Sequence, residues 1–468
     1  MRDNKKYLLL CFCLPILLSS CSVGTKYVRT DLELPENYRD HNTVTGDTLL
    51  LPWRTFFKDP MLTKLIEKAL EKNSEISNAV MSVRQMDLLY RQAKLQLLPS
   101  IDMSAGGGRN WLSKNSASAL SGQVSNYSDD YNASLMLSWE ADIWGKAGMQ
   151  KEDALAGFFA QKENLSALKT RIIIQVAQAY YNLLTLDEQL VTARRNTELC
   201  DSTLRIIRLQ FNSGQENSIA VEQAEVQKKT AELLRPLVLQ NIVVQENALS
   251  ILCGSYPGSV ERSEYAAAAL PDEVFPSGVP AMLLGRRPDL KAAEWAVVSA
   301  NAKSGLAKAA MYPSFSLTAS SGINSSLWNK WFDLSGSMFE NLGVNLTQPL
   351  FQRNALKTTY DISVIERQKA AVQFRQAVMT AVSEVSDAMA RSKYASEQMK
   401  LLEEKKAALS KALYGASLLY KNGKASYLEI IAVENNSLQN ELEIINAKRE
   451  KFNAVTDLYR ALGGGAEN

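Results

Sequence analysis

The sequence has little of what catalysis, metal binding or nucleic-acid binding requires. One of its 468 residues is a histidine, and 52 basic residues against 50 acidic residues leave a net charge of only +2. A single histidine leaves few ligands for a metal site, and the balanced charge gives no support to nucleic-acid binding. The sequence also shows no glycine-rich phosphate loop and no Ser/His/Asp set. We therefore expect no enzyme activity, no metal, no cofactor and no nucleic-acid partner.

Long apolar runs and cysteines are scarce as well. After the N-terminus no apolar run reaches the ~18 residues of a membrane-spanning helix, so a chain of this kind that crosses a membrane would do so with β-strands. Of the 5 cysteines, only Cys200 and Cys253 lie beyond residue 21. Both fall within helical patterns, and we expect buried thiols rather than a disulfide or a catalytic thiol.

The first 20 residues predict a signal peptide, because a basic start with Lys5 and Lys6 precedes a short apolar stretch that ends in small residues. The stretch "LLSSC", residues 17–21, resembles a bacterial lipobox. In a lipobox the cysteine, here Cys21, receives diacylglycerol and an N-acyl chain such as palmitate. Each buried CH₂ of such an anchor contributes ~0.8 kcal/mol of membrane binding. We expect residues 21–58 to form a lipid-anchored N-terminal segment.

Two stretches of the chain, residues 70–102 and 284–316, resemble each other. Both have a helical pattern, and both end in Pro-Ser, at Pro99 and Pro313. Because the residue before a proline is pushed away from the α conformation, each proline predicts a switch from helix to strand.

Apolar and polar residues alternate after each proline and predict two pairs of strands. In the second half, for example, Phe315, Leu317 and Ala319 alternate with Ser316 and Thr318. The predicted strands cover about 100–110, 131–140, 314–323 and 341–348, and the first is the weakest because it is rich in glycine. The Ser/Asn/Gly-rich stretches 111–130 and 324–341 predict exposed loops.

Long heptad patterns follow the strands and predict paired coiled-coil helices. A helix of ~65 residues extends ~100 Å. Each pair is interrupted once, by "FNSGQENSIAV" around Gly214 and by "YKNGKASYLEI" around Gly423. Glycine accepts positive φ, so these two residues are predicted to reverse the chain at hairpin tips.

These patterns predict a mainly α-helical protein with a β part and an internal twofold repeat. We expect a first repeat at 59–256, a proline-rich linker at 257–281, a second repeat at 282–462 and a tail at 463–468. Four strands are too few for a closed membrane barrel, which needs at least about eight, and open edges are costly in lipid. Two, three or four copies would complete such a wall, and the physical argument does not choose among them.

The lipobox, the doubled helix–Pro-Ser–strand unit and the paired glycine turns resemble the TolC-type outer-membrane efflux proteins, in particular their lipoprotein branch that serves RND-type pumps. The resemblance covers residues 21–462. It implies a homotrimer whose twelve-stranded outer-membrane β-barrel continues into a long periplasmic α-helical barrel. It also implies a passive exit duct for drugs and other small molecules, with a periplasmic adaptor, an inner-membrane RND pump and outer-membrane lipid as partners. The cargo stays undefined, because a passive tube selects little.

The same resemblance implies gate residues at the periplasmic mouth. Glu429 falls on the family's acidic position, so that three copies would form a ring that attracts cations, and Tyr420 matches an aromatic that helps to hold the mouth shut. The sequence departs from the family pattern at Ala432 and Ala220, where acids are usual. At these two positions the sequence therefore does not supply the acid that a latch from Tyr420 to the other hairpin would use, although Glu222 is nearby.

Two alternatives stay open at this point. The same duct would also serve type I protein secretion, and a periplasmic adaptor lipoprotein also has long helical hairpins but no pore. The doubled strand unit favours the duct, because an adaptor has no need of it. Trp139 and Trp144 bracket the end of the second strand, where either an aromatic belt at the membrane boundary or packing at the strand–helix junction is expected.

Overall fold

The computed structural model describes residues 23–29, 32–39, 52–111, 113, 127–265 and 280–465. The predicted signal peptide and Cys21 lie outside the described residues. The described residues divide into two compact units. The strand unit lies within residues 1–30, 84–160 and 293–373, and the helical unit within residues 31–83, 161–292 and 374–468.

The first half of the chain forms five helices and two strands among its described residues. In chain order these are α1 (Trp53–Phe56), α2 (Pro60–Lys72), α3 (Ser74–Leu95), β1 (Ser100–Trp111), β2 (Tyr127–Glu140), α4 (Lys146–Asn212) and α5 (Ser218–Leu252). Asp59 caps α2, since its carboxylate accepts from the backbone N–H of Met61 at 2.8 Å, and Pro60 occupies the first helical position, where a missing N–H costs nothing.

The second half repeats this order. A 3₁₀ turn (Pro280–Met282) leads into α6 (Leu283–Arg286), α7 (Pro288–Ala309), β3 (Ser314–Ser325), a second 3₁₀ turn (Trp328–Lys330), α8 (Leu334–Ser337), β4 (Met338–Thr347), α9 (Ala355–Lys421) and α10 (Tyr427–Ala461). The long helices α4 and α9 have 67 residues each, which corresponds to ~100 Å. Their partners α5 and α10 have 35 residues each. The corresponding long helices of the two repeats therefore have equal lengths.

The strand unit contains one antiparallel sheet with the order β1-β2-β3-β4. The pairing of β2 with β3, in which Leu137 lies opposite Ala319, joins the two halves of the chain. Strand register puts the alternating apolar residues on one face, referred to below as the apolar face. It carries Ile101, Met103, Leu135, Leu137, Leu317, Ala319, Leu342 and Val344. The opposite, polar face carries Ser104, Ser134, Ser138, Thr318 and Asn345.

Some strand boundaries differ from the predictions. Strand β2 begins at Tyr127 rather than at residue 131, β4 begins at Met338 rather than at residue 341, and β3 ends at Ser325 rather than at residue 323. These strands extend into stretches that the Ser/Asn/Gly content had predicted as loop, because backbone pairing to the neighbouring strand continues there: Trp111 lies opposite Tyr127, and Ile323 lies opposite Met338.

The main core lies in the helical unit and includes the aromatic segment before α2. Phe56 stacks on Tyr459 with 4.1 Å between ring centroids, and Phe57 meets the same ring edge-on. Tyr180 is fully buried, and its hydroxyl donates to the buried carboxylate of Asp59 at 2.8 Å. None of the helices in the described part of the chain combines the length and the apolar character that a membrane-spanning helix needs.

Candidate functional site

Two glycine turns join the paired helices and have the same geometry. Gly214 has φ 74° and Gly423 has φ 66°. In each turn the glycine N–H donates to the carbonyl three residues earlier, and the next N–H donates to the carbonyl five residues earlier, the pattern of a Schellman motif. An added Cβ would meet nothing within 4 Å at either glycine, so the backbone conformation, not space, requires glycine here.

The helix that follows each turn begins three residues after the glycine with a polar cap. Asn217 accepts from the backbone N–H of Ala220 at 2.9 Å and caps α5. At the corresponding position Ser426 precedes α10 and donates its hydroxyl to the Glu429 carboxylate at 2.5 Å. The sequence Ser-x-x-Glu is that of a capping box, but here the Ser426 hydroxyl bonds to the Glu429 carboxylate and not to a backbone N–H of α10.

Glu429 lies in the first turn of α10 and presents its carboxylate to solvent. The Ser426 hydroxyl, together with the backbone N–H groups of Glu429 and Ser426, holds the pKa of this carboxyl below its usual range. The side chain is consequently ionised at neutral pH. Ala432, one turn further along α10, adds no second acid.

Tyr420 connects the two hairpins. Its hydroxyl lies 2.5 Å from the side-chain oxygen of Gln210 on α4 and 2.9 Å from a carboxylate oxygen of Glu216 in the first turn. Burial first, and then the negative charge of Glu216, raises the pKa of Tyr420 to about 12. The hydroxyl is therefore a neutral donor throughout the physiological range.

The acid that Tyr420 meets is not the one that the sequence pointed to. Glu222 was the nearest candidate, but the partner is Glu216, two residues after Gly214. Ala220, at the position where an acid is usual, is buried instead. The position of Glu216 just after the glycine turn was the available sequence signal for this contact. Neither Glu216 nor Gln210 was predicted as a partner of Tyr420.

One apolar cluster packs the two hairpins side by side. Its buried members come from α4, α5 and α10 and are Leu204, Ile207, Ala220, Ala224, Tyr427 and Ile430. Tyr420 packs against this cluster, with 6.2 Å between its ring centroid and that of Tyr427. The four helix ends thus form one hairpin tip, defined here by this cluster and the two turns.

A half-buried carboxyl lies beside the tip cluster. Burial, and after it the negative charge of Glu434 on α10, raises the pKa of Cys200 on α4 and that of Tyr427. The Oε2 atom of Glu434 is buried and makes no hydrogen bond with the described residues, and burial raises the pKa of Glu434 itself. Cys200 and Cys253 are both buried free thiols, as predicted.

The two prolines lie where helix passes into strand. Pro99 lies between α3 and β1, and Pro313 lies between α7 and β3. A tryptophan holds each junction: the indole N–H of Trp139 donates to the Leu97 carbonyl at 2.9 Å, and that of Trp144 donates to the Pro313 carbonyl at 2.7 Å.

The N-terminal segment is fixed next to the second junction. The backbone N–H of Val23 donates to the Trp144 carbonyl at 3.3 Å, and Asn301 on α7 donates to the Thr25 carbonyl at 2.7 Å. The guanidinium group of Arg29 donates two hydrogen bonds to the carboxylate of Glu294. The chain that leads from Cys21 is therefore held at the end of the sheet from Val23 onwards.

Comparison with known proteins gives one consistent result. The model of the family described as "Outer membrane efflux protein" matches residues 65–255 and 279–464. The chain is 27% identical to the "Cation efflux system protein CusC" of Escherichia coli (strain K12), over 98% of this chain and 99% of that one. It is 29% identical to the "Solvent efflux pump outer membrane protein SrpC" of Pseudomonas putida, over 96% of each. It is 26% identical to the "Probable outer membrane lipoprotein SilC" of Salmonella typhimurium, again over 96% of each.

Among solved structures, the open state of the Neisseria gonorrhoeae MtrE outer membrane channel superposes with a TM-score of 0.84. That match has 28% sequence identity and covers 96% of this chain and 99% of MtrE. The described chain therefore has the fold of these channels, and the two matched family segments correspond to its two repeats.

Proposed function

The chain belongs to the outer membrane efflux protein family, and we propose that it is the passive outer-membrane exit duct of a tripartite efflux system. Small molecules would pass through it from the periplasm, or from an inner-membrane pump, to the exterior. CusC and SrpC are named for the efflux of cations and of solvents, respectively. That difference among relatives of similar identity supports a duct whose cargo is chosen by the pump.

The sheet is the observation that carries this proposal. One face is apolar although it is exposed, as at Met103, Leu342 and Leu346, while the other is rich in serine, threonine and asparagine. Within the described residues β1 and β4 each pair on one side only. Open edges are costly in lipid, so the sheet has to be continued by other copies of the chain. Three copies would supply twelve strands, with the apolar face towards lipid and the polar face towards the bore.

Exposed apolar residues on the helices support assembly as well. Along α5 the residues Ile219, Val226 and Leu233 are seven apart, and all three are at least 64% exposed. A second exposed set, Leu237, Val244 and Ile251, begins four residues after Leu233 and is again seven apart. A sustained heptad stripe of this kind packs against another helix, and a homotrimer provides that helix from the neighbouring copy.

The hairpin tip would act as the periplasmic gate. In a trimer three copies of Glu429 come together and attract cations to the mouth, and three contacts between Tyr420 and Glu216 hold the hairpins together. The duct itself supplies no energy and no catalysis, so a periplasmic adaptor and an RND-type pump complete the system.

Lipidation of Cys21 fits the same assembly. The lipobox precedes a segment that is fixed at the sheet from Val23 onwards, and the relative SilC is named an outer membrane lipoprotein. Acyl chains on Cys21 would enter the leaflet that the end of the sheet adjoins.

The test is the size and conductance of the purified protein. We expect outer-membrane fractions to give a trimer in an unheated electrophoresis lane and a monomer after heating, and the detergent-solubilised trimer to form cation-preferring channels in planar bilayers. A monomer in both lanes, together with the absence of channels, would contradict the duct and leave the adaptor alternative.

A further inference from the structure

The contact between α4 and α10, called the α4–α10 seam from here on, is polar along much of its length. Three side-chain pairs cross it: Gln178 with Asp457, Gln189 with Asn446, and Arg195 with Glu441. From the first pair to the third, the chain advances along α4 by about as many residues as it retreats along α10, so the two helices are antiparallel. The same register brings Cys200 on α4 opposite Glu434 on α10, and these two side chains interact electrostatically.

Buried polar atoms without a partner are concentrated on these two helices. In the part of the chain that the structure describes, eight side-chain nitrogen or oxygen atoms are buried and make no hydrogen bond, and five of them belong to α4 or α10. They are Tyr181 Oη, Asn196 Nδ2, Glu434 Oε2, Asn440 Oδ1 and Asn453 Oδ1. A buried polar group without a partner is costly, so the packed arrangement of these helices carries a cost that hydration would remove.

Glu434 is the acidic member of this set, and burial is the cause of the rise in its pKa. The titratable groups that face it are Cys200 from α4 and Tyr427 from its own helix, and burial raises the pKa of both, so that both are neutral at physiological pH. From α5 and α9 the tip cluster adds apolar side chains and the neutral hydroxyl of Tyr420.

The polar side chains next to these residues in the sequence have other partners. Asp201, which follows Cys200, pairs with Lys228 on α5. Asn435, which follows Glu434, bonds to Gln227, also on α5. Neither contact shifts the pKa of Glu434, so within the described tip no positive charge offsets the burial of its carboxyl.

We propose that Glu434 is a proton-dependent lock on the hairpin tip: when protonated it stays buried against α4 and keeps α10 in place, and when ionised it favours separation of the two helices. This rests on the proposed function, in which the tip is the gate of the duct. A neutral carboxyl loses little by burial, whereas a carboxylate without a partner gains hydration when the helices part. Glu434 lies one turn beyond Ile430, a buried member of the tip cluster, so separation at Glu434 opens the cluster itself.

The direction of the pH effect follows from the pKa of Glu434 in the two forms of the tip. Burial raises this pKa above 4.5 in the closed tip, and hydration returns it to about 4.5 in the open tip. Because the closed tip binds the proton more tightly, a rise in pH above 4.5 shifts the equilibrium towards the open tip. Each unit between the two pKa values changes the open-to-closed ratio of one copy about tenfold. Below pH 4.5 both forms are protonated, and the equilibrium no longer responds to pH.

Single-channel recording in planar bilayers from pH 4 to pH 8 tests the lock. The wild type should open more often as the pH rises above 4.5, whereas Glu434→Gln, which imitates the protonated carboxyl, should keep the low open probability at every pH. Glu443→Gln is the matched control, because Glu443 lies on the same helix and pairs with Lys405 on α9, and it should leave the rise in place. A rise that persists in Glu434→Gln, or a wild type that conducts without any rise, would overturn the lock and leave the duct.

The thiol of Cys200 reports the same separation without any need for conductance. It is buried on the α4 side of the seam, so a water-soluble maleimide reaches it only when α10 moves away. In the detergent-solubilised full chain at pH 8, the thiol should react more slowly in Glu434→Gln than in the wild type, and Cys200→Ser gives the background from Cys253. Loss of the Glu434 charge alone would lower the pKa of Cys200 and speed the reaction, so a slower reaction reflects less opening.

The two measurements separate the lock from the duct. An equal or faster thiol reaction in Glu434→Gln would overturn the lock, whatever the conductance. A slower thiol reaction in Glu434→Gln, in a protein that forms no channel at any pH, would refute the proposed function and support the release of α10 by ionisation of Glu434.

Discussion

The hydroxyl group of Tyr420 lies 2.9 Å from a carboxylate oxygen of Glu216, although 204 residues separate them along the chain. This contact links the end of α9 to the turn between α4 and α5, and therefore one repeat to the other. Because the pKa of Tyr420 is raised to about 12, the tyrosine keeps its proton at every physiological pH and donates it to the side-chain oxygen of either Gln210 or Glu216. The contact is polar and near the surface, so it can break and re-form without disrupting the buried cluster beneath it.

We expect Tyr420→Phe to increase the open probability of the channel. Loss of a hydrogen bond to a partly exposed carboxylate costs about 1 kcal/mol, which corresponds to a roughly fivefold shift in the closed-to-open equilibrium. Single-channel recording in planar bilayers measures this shift. Tyr414→Phe is the matched control, because Tyr414 lies on the same helix and is exposed. Equal open probability in Tyr420→Phe and wild type would contradict a latch.

Much of the fold could be predicted because local patterns specify it. Strand alternation, the proline that ends α7 and the glycine that ends α9 each depend on residues within one or two turns of one another. The same signals predicted the internal repeat, because each of these local patterns occurs twice in the sequence. The boundaries of β2 and β4 were less predictable, because cross-strand pairing extends the strands into residues whose composition favours a loop.

The contacts of the hairpin tip could not be predicted in the same way. Glu216 meets Tyr420 only because the ends of α4 and α9 come together at the hairpin tip, and nothing in either local sequence indicates that contact. The connection between β3 and β4, which contains the 3₁₀ turn Trp328–Lys330, is a similar case. Its composition matches a loop, and only the position of Tyr131 on the apolar face of β2 shows where Trp328 packs.

Glu429→Gln should lower the cation preference of the channel. Glutamine keeps an acceptor for the Ser426 hydroxyl and removes the charge, so the start of α10 is retained. Reversal potentials in a salt gradient measure the preference, and block by multivalent cations should weaken in parallel. Glu404→Gln, on the exposed surface of α9, is the control. Unchanged cation selectivity in Glu429→Gln would contradict a role of Glu429 in the gate.

Cys21→Ala should abolish lipid attachment without abolishing assembly. The apolar face of the sheet remains after the substitution, so part of the protein should still reach the membrane as a trimer. Metabolic labelling with palmitate and unheated electrophoresis of membrane fractions measure the two properties separately. Palmitate label that persists in the variant would show that Cys21 is not the attachment site, and complete loss of membrane association would show that the sheet alone does not insert.

Gly214→Ala and Gly423→Ala should each destabilise the hairpin tip. Both glycines have positive φ, and a Cβ in that conformation costs roughly 1–2 kcal/mol although it meets no neighbour. Gly415→Ala is a control of opposite sign, because Gly415 lies within α9 with open space around it, and alanine in a helix is favoured by ~0.8–1 kcal/mol. Thermal unfolding of the detergent-solubilised protein should therefore show lower transition temperatures for the first two variants and an equal or higher one for the third. Destabilisation by all three would point to crowding instead of backbone conformation.

The pH dependence of the hairpin tip should depend on Glu434. Burial raises the pKa of this carboxyl, and the groups that face it, Cys200 and Tyr427, are neutral at pH 7 because their own pKa values are raised. A group whose pKa is raised on folding contributes stability that is complete below its unfolded pKa, here 4.5, and is lost as the pH rises through the folded pKa. Above its folded pKa, Glu434 is an ionised carboxylate whose Oε2 has no partner among the described residues.

Glu434→Gln should consequently raise the thermal transition temperature at pH values above the folded pKa of Glu434 and have little effect near pH 4. The gain should be about 1 kcal/mol or less, because the side chain is only partly buried and solvent screens its charge. Glu443→Gln on the same helix is the matched control with the opposite sign: the ion pair with Lys405 holds the pKa of Glu443 low, so its stabilising contribution is present above pH 4.5 and is lost below it. Unfolding curves of both variants across this pH range decide the matter, since equal and pH-independent shifts would mean that neither carboxyl contributes through its charge.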